Sequence, residues 1–195
     1  MKEFVNTIIE NIQIFAQNSN PIVVIMMAST IIILESIIPV LPLAIFIAIN
    51  MIVLGVIPGF LISWISTVIG CVISFMIFRK GLSSYFYGKF GNVPEAIKIA
   101  NKINKMNFST LVIITALPFT PAFSINIAAG LSKMSYRKFI VAMLIAKVSI
   151  VYFWGFVGKS LLESITDINT LLKLGLILII GYLVSTLVRK KFNIE

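Results

Sequence analysis

From Pro21 to Phe78 the chain carries one charged side chain, Glu35. A stretch of that length and polarity cannot be accommodated by a water-soluble domain of this size, whose surface must be largely polar. Composition agrees: 59% of the 195 residues are hydrophobic and 12% are charged, against about 45–50% and about 25% in a soluble domain. The mean hydropathy is +1.06. A soluble globular enzyme is excluded, and the chain is expected to be an all-α integral membrane protein.

The 16 Lys and Arg outnumber the 7 Asp and Glu, giving a formal net charge of +9. These basic residues flank apolar segments, a pattern that orients chains in bilayers and attracts anionic lipid head groups. Membrane lipids are therefore the expected partners, and nucleic acid is not. The chain has no His and one Cys, Cys71. That rules out an internal disulfide and a His-based catalytic triad, and a transition-metal site is not expected. No cofactor is implied. Lys2, Glu3 and Glu10 near the start, with no long apolar core, predict no cleavable signal peptide.

Segment by segment, residues 1–20 place Phe4, Ile8, Ile12 and Phe15 at helical spacing. They read either as an amphipathic helix on the membrane surface or as a frayed tail. Residues 21–54 are apolar but interrupted by Glu35, Pro39 and Pro42. The two pieces, 21–34 and 43–54, would reach about 21 Å and about 18 Å as helices. Neither crosses a hydrocarbon core of about 30 Å, so a re-entrant hairpin is favoured over one long kinked helix. If 21–54 is a hairpin, residues 1–20 lie outside; if it spans, they lie inside.

Residues 56–78 reach about 34 Å as a helix and end at Arg79 and Lys80. The segment 79–108 holds Arg79, Lys80, Lys89, Lys98, Lys102 and Lys105 against Glu95 alone, which places it in the cytoplasm. Within it, Pro94 opens an interfacial helix with Ala96, Ile99, Ile103 and Met106 on one face. Residues 108–131 are apolar again, broken by Pro118 and Pro121 and followed by Lys133, Arg137 and Lys138. Basic clusters on both sides predict a second hairpin, open to the cytoplasm. Residues 139–158 are long enough to span. The 159–195 segment then supplies a neutral outer loop, a last transmembrane helix and a basic cytoplasmic tail at Arg189, Lys190 and Lys191.

Pro39-Val40-Leu41-Pro42 and Pro118-Phe119-Thr120-Pro121 repeat the spacing Pro-x-x-Pro 79 residues apart. Each interrupts an apolar segment and precedes a full-length apolar helix. On the charge assignment the two hairpins open to opposite sides. The predicted architecture is two re-entrant hairpins plus about three transmembrane helices in an inverted-topology repeat, as in many secondary transporters.

Two residues in these segments are costly. An ionised acid at membrane depth costs on the order of 2.5–3.5 kcal/mol or more, so Glu35 should be protonated, paired or in a wet cavity. It is a candidate proton carrier, or else a cap or a snorkelling side chain. Lys147, near the centre of 139–158, meets the same penalty. Its simplest partner is Glu35, either as a structural pair or as one that exchanges for a phosphate or a proton. Ser36, Asn50, Thr115, Thr120, Ser124 and Asn126 add uncharged donors around the breaks, which in such places often satisfy freed backbone groups. Pro39, Pro42, Pro118, Pro121 and Gly130 complete the set assigned to the hairpin tips. Gly70, Gly130, Gly155, Gly158 and Gly181 are expected to allow close helix packing. Tyr152 and Trp154 read equally as interfacial anchors or as core.

Glu35-Ser36-Ile37-Ile38-Pro39-Val40-Leu41-Pro42 resembles the DedA family, the bacterial branch of VTT-domain or SNARE-associated Golgi-type membrane proteins. Pro118-Phe119-Thr120-Pro121 followed by Asn126, Ala129-Gly130, Met134 and Phe139 resembles the second family signature. Gly70, Phe75 and Arg79 resemble its glycine-to-arginine stretch. The similarity spans roughly 21–158. It implies two facing re-entrant hairpins, a bacterial plasma-membrane location and movement of phospholipids or polyprenyl phosphates between leaflets, with proton coupling for some members. Glu35 matches the family's acidic residue. The chain departs from the pattern at Thr115, where members commonly carry Arg, around Cys71, where they carry acids, and after Pro121, where they carry a second Arg. Lys147 is the candidate replacement for the missing charge. The expected function is a lipid flippase or scramblase. The alternatives are a proton-coupled small-cation exporter and a non-transporting assembly protein; an enzyme is least favoured. Homo-oligomerisation is left open.

Overall fold

The structure is a computed structural model that describes residues 2–38, 42–81, 103–163 and 167–192. Among the described residues it is all helical. Helix α1 runs Lys2–Asn18, so the amino-terminal segment is a helix rather than a frayed tail. Asn20 then caps α2 (Pro21–Ile37), accepting from the Ile22 backbone N–H at 2.9 Å with Pro21 at the first helical position. The helix stops at Ile38, which is extended, because a residue preceding proline is disfavoured in the α conformation. Helix α3 (Leu43–Val53) follows Pro42. Pro39, assigned to the first tip, lies outside the described residues, as does most of the interfacial helix expected after Pro94.

Gly55 turns the chain with φ +89, a conformation other residues rarely adopt. Helix α4 (Val56–Met76) continues as a π-helix over Ile77–Gly81, so the spanning unit is longer than the 56–78 apolar run. Past the undescribed segment, Ile103 is buried in the core instead of facing an interface. Helices α5 (Phe108–Ala116) and α6 (Ala122–Leu131) form the second short pair, and the Asn107 side chain caps α5. Helix α7 runs Tyr136–Glu163, past both ends of the apolar 139–158 run. Polar residues at 136–138 and 159–163 end the hydrophobic stretch but not the backbone hydrogen bonding. Helix α8 (Ile168–Lys191) is capped by Asp167, whose carboxylate accepts from Thr170 Oγ1 and the Asn169 N–H. These bonds hold the Asp167 carboxyl below the usual carboxylate range.

Among the described residues, three helices are long and apolar enough to cross a membrane: Val56–Lys80, Tyr136–Leu162 and Ile168–Lys191. Helices α2, α3, α5 and α6 pack around the first two in a crossed pattern. In the first pair, α2 packs mainly on α4 and α3 on both α4 and α7. In the second, α5 packs on α7 and α6 on α4. Each pair therefore touches its own following helix with its first arm and the other long helix with its second.

The larger core lies toward the Arg79 end of α4. There Phe75 stacks on Phe139 with centroids 4.3 Å apart and meets Tyr136 edge-on, among Leu111, Ile114, Ile125 and Met143. A smaller core joins Ile32, Ile47, Met51 and Val151. Helix α8 stands largely apart, with Leu172, Leu176, Ile179, Leu183 and Leu187 exposed. Such a surface would aggregate in water and suits lipid.

Candidate functional site

The two helix breaks face one cavity of about 530 Å³. Helix α2 brings Glu35 and Ser36 from its last turn, and Pro42, Leu43 and Ala44 form the wall where α3 begins. The second break contributes Pro118, Thr120 and Pro121, continued by Ala122, Phe123 and Ser124 of α6. Helix α4 supplies Thr67 and Cys71; α7 supplies Lys147, Ile150 and Trp154. The prolines contribute no backbone donors. At the second break, the turn is held by the Thr120 N–H donating to the Leu117 carbonyl at 3.2 Å.

Glu35 and Lys147 are both buried, with 8% and 2% of their surface exposed. Both line the cavity, and no direct hydrogen bond or ion pair joins them among the described residues. The site is thus one acid and one amine on the wall of a shared, mostly apolar cavity, with the hydroxyl residues Ser36, Thr67, Thr120 and Ser124 beside them.

Of the residues assigned from the sequence, Glu35, Ser36, Pro42, Pro118, Pro121 and Lys147 line the cavity. Thr115 does not: it is buried behind the wall, and its hydroxyl donates to the Leu111 carbonyl at 2.6 Å within its own helix. Gly130 is not at the tip but has the close helix packing also expected of it. It lies at the far end of α6, where an added Cβ would fall 2.8 Å from the Phe75 carbonyl oxygen and 2.9 Å from Phe78 Cβ. Its role is the close approach of α6 to α4, which places it away from the tip. Asn126 is off the cavity wall and fully buried, with neither amide atom hydrogen-bonded among the described residues. An unpaired buried amide costs about 1–3 kcal/mol. Asn50, expected near the first break, donates to Ser63 Oγ at 3.1 Å in the packing of α3 on α4.

Trp154 is resolved as a wall residue. It packs with Phe119 and Phe153 at centroid separations of 5.6 Å and 5.2 Å, and Phe119 also meets Tyr182 of α8. Tyr152 is exposed. Thr67 escaped the sequence reading, although Ser63, Thr67 and Ser74 form a polar stripe at helical spacing in an apolar span. Arg79 escaped as well. Its Nη2 donates to the carbonyls of Ala129 at 3.0 Å and Met134 at 2.8 Å, and its guanidinium lies over the Phe75 and Tyr136 rings. This fork fastens the end of α6 to the π-helix. Arg79→Gln is expected to lower stability by about 2–3 kcal/mol, and Arg79→Lys to recover part of it. Thermal unfolding in detergent would measure both, and a wild-type melt for Arg79→Gln would remove the fastening role.

The VTT domain family matches residues 38–160. The chain belongs to the VTT-domain family. This is the family to which the DedA resemblance pointed. The VTT domain takes in α3 to α7 and most of the cavity wall, including Pro42, Thr67, Pro118, Pro121 and Lys147; Glu35 and Ser36 immediately precede it. Among curated proteins, the chain is similar to the uncharacterized membrane protein YhjE of Bacillus subtilis. Identity is 29% over 150 residues, covering 76% of this chain and 72% of the relative. It is also similar to the uncharacterized protein YqeD of the same organism, 26% identical over 110 residues, 56% of this chain and 53% of that one. No solved structure is matched.

Proposed function

We propose that this VTT-domain protein moves an amphiphilic lipid with a phosphate head group, a phospholipid or a polyprenyl phosphate, between membrane leaflets. The observation that carries the reading is the pairing of Glu35 and Lys147 on one cavity at two helix breaks. Non-helical backbone is tolerated at membrane depth only where it is buried or lines a wet cavity, and ionisable groups there mark substrate or proton paths. Lys147 would hold the phosphate as a point charge, and Glu35 would gain and lose the coupling proton. The protein acts as a flippase or scramblase and not as an enzyme, with anionic membrane lipids as its partners.

On this reading α2–α3 and α5–α6 are re-entrant hairpins, each followed by its spanning helix, in an inverted-topology repeat. The crossed packing of the short arms on α4 and α7 supports that arrangement. The basic clusters favour a bacterial plasma-membrane protein with its carboxy-terminus in the cytoplasm. Lys147 on the cavity weighs against a small-cation exporter, because a fixed ammonium repels such a substrate.

The test is leaflet exchange of labelled phospholipid and polyprenyl phosphate in liposomes, with and without a pH gradient. Wild type should exchange one of these probes, and Glu35→Gln should lose at least tenfold of the gradient-dependent rate. A well-folded wild type that exchanges neither probe would overturn the proposal.

A further inference from the structure

Eight buried side-chain polar atoms have no hydrogen-bond partner among the described residues, and six of them follow one course. Ser36 Oγ and Thr120 Oγ1 belong to residues on the cavity wall. Both amide atoms of Asn126 on α6 and Ser74 Oγ and Arg79 Nε on α4 and its π-helical end belong to the stretches beyond it, and these two helices pack together. Ala122 and Phe123 share the cavity wall with Thr67 and Cys71, and Gly130 lies against Phe75 and Phe78. Asn126, midway between them on α6, is therefore level with the turn of α4 that holds Cys71, Ser74 and Phe75. Thr67, Ser74 and Arg79 continue in order along α4 from the cavity to its π-helical end.

Native proteins rarely leave buried polar groups unpaired, and ordered water is the usual partner where protein groups are not. Asn126 offers two donors and an acceptor with two lone pairs and uses none within the protein. We propose that Asn126 and Ser74 form a buried binding site for water, which continues the cavity along the α4–α6 interface toward Arg79. Four hydrogen-bonding atoms of three residues, all at one interface, suit bridging molecules that each need two to four polar partners. In the reading of this chain as a proton-coupled lipid transporter, which this step extends, the waters connect Glu35 with the Arg79 end of the bundle.

X-ray radiolytic footprinting tests the site without calling on transport, because bound water generates hydroxyl radicals beside side chains that bulk solvent cannot reach. Phe75, next to Ser74 and with 0% of its surface exposed, serves as the native reporter, whereas Cys71 lines the cavity and would report the cavity's own water. In purified wild type Phe75 should oxidise at a rate within a few-fold of exposed Tyr152. Asn126→Leu, nearly isosteric but apolar, should slow Phe75 oxidation at least fivefold. Asn126→Ser, which keeps a hydroxyl, should retain most of the wild-type rate. If the Leu variant fails to fold, Ser74→Ala replaces it, with the same loss expected. Phe75 that stays unmodified in wild type, or that oxidises equally in the apolar variants, would overturn the water site. Lipid exchange by the same preparation separates the two proposals: exchange without the footprint removes the water site alone, and the footprint without exchange removes the transport reading alone.

Discussion

Lys147→Met is expected to abolish lipid exchange as fully as Glu35→Gln, at least tenfold below wild type. Among the described residues lining the cavity, Lys147 is the only basic side chain and Glu35 the only acid. Both are buried, and they stand apart on a shared hollow instead of closing on each other. A purely structural pair makes a different forecast. Removing one partner of a buried ion pair destabilises by about 3–5 kcal/mol, whereas replacing both with apolar groups is often neutral. The double variant Glu35→Leu, Lys147→Met therefore decides between them. If the pair serves packing, the double variant should regain both stability and exchange. If the two groups handle phosphate and proton, it should regain stability and stay inactive. Lys147→Arg should keep partial activity, because the charge remains while the shape of the donor changes. Full exchange by Lys147→Met would remove this residue from the mechanism.

The features that were legible in the sequence are those set by local chemistry. Proline cannot continue a helix, so Pro39 and Pro42, and then Pro118 and Pro121, announced two breaks. The charges at Glu35 and Lys147 were conspicuous because an apolar segment tolerates so few, and the structure brings both to one cavity. What escaped depends on contacts between residues far apart in the chain. For Gly130 the sequence indicates close helix packing but not the partner: its neighbours, Phe75 and Phe78, are more than fifty positions earlier, which removes it from the tip. Arg79 read as a helix-ending charge, and nothing local signals that it reaches Ala129 and Met134. The ends of α7 were misplaced for another reason: hydropathy stops at Phe139, but backbone hydrogen bonding continues through Tyr136, Arg137 and Lys138 regardless of polarity. Thr115 shows the converse error, since a hydroxyl near a break need not face the cavity when a carbonyl of its own helix is in reach.

Gly158→Ala is expected to be among the most damaging single-methyl additions this chain can receive. A Cβ at 158 would sit 2.2 Å from the Ala44 carbonyl oxygen and 3.0 Å from Ala48 Cβ. The first of these is backbone, which cannot rotate aside as a side-chain tip would, so α3 itself must move off α7. Overpacking of that kind typically costs about 1–3 kcal/mol. The displacement also reaches the site, because Ala44 belongs both to this contact and to the cavity wall, where it follows Pro42 and Leu43. Gly175→Ala supplies the control: nothing lies within 4 Å of its added Cβ, and alanine is the better helix former by about 1 kcal/mol. Thermal unfolding in detergent should therefore show Gly158→Ala melting well below wild type and Gly175→Ala at or above it. Exchange should fall in the first and persist in the second. A wild-type melt for Gly158→Ala would mean that α3 and α7 do not approach this closely. Loss of exchange in Gly158→Ala together with full exchange in Glu35→Gln would instead favour the assembly reading, in which packing matters and the buried acid does not.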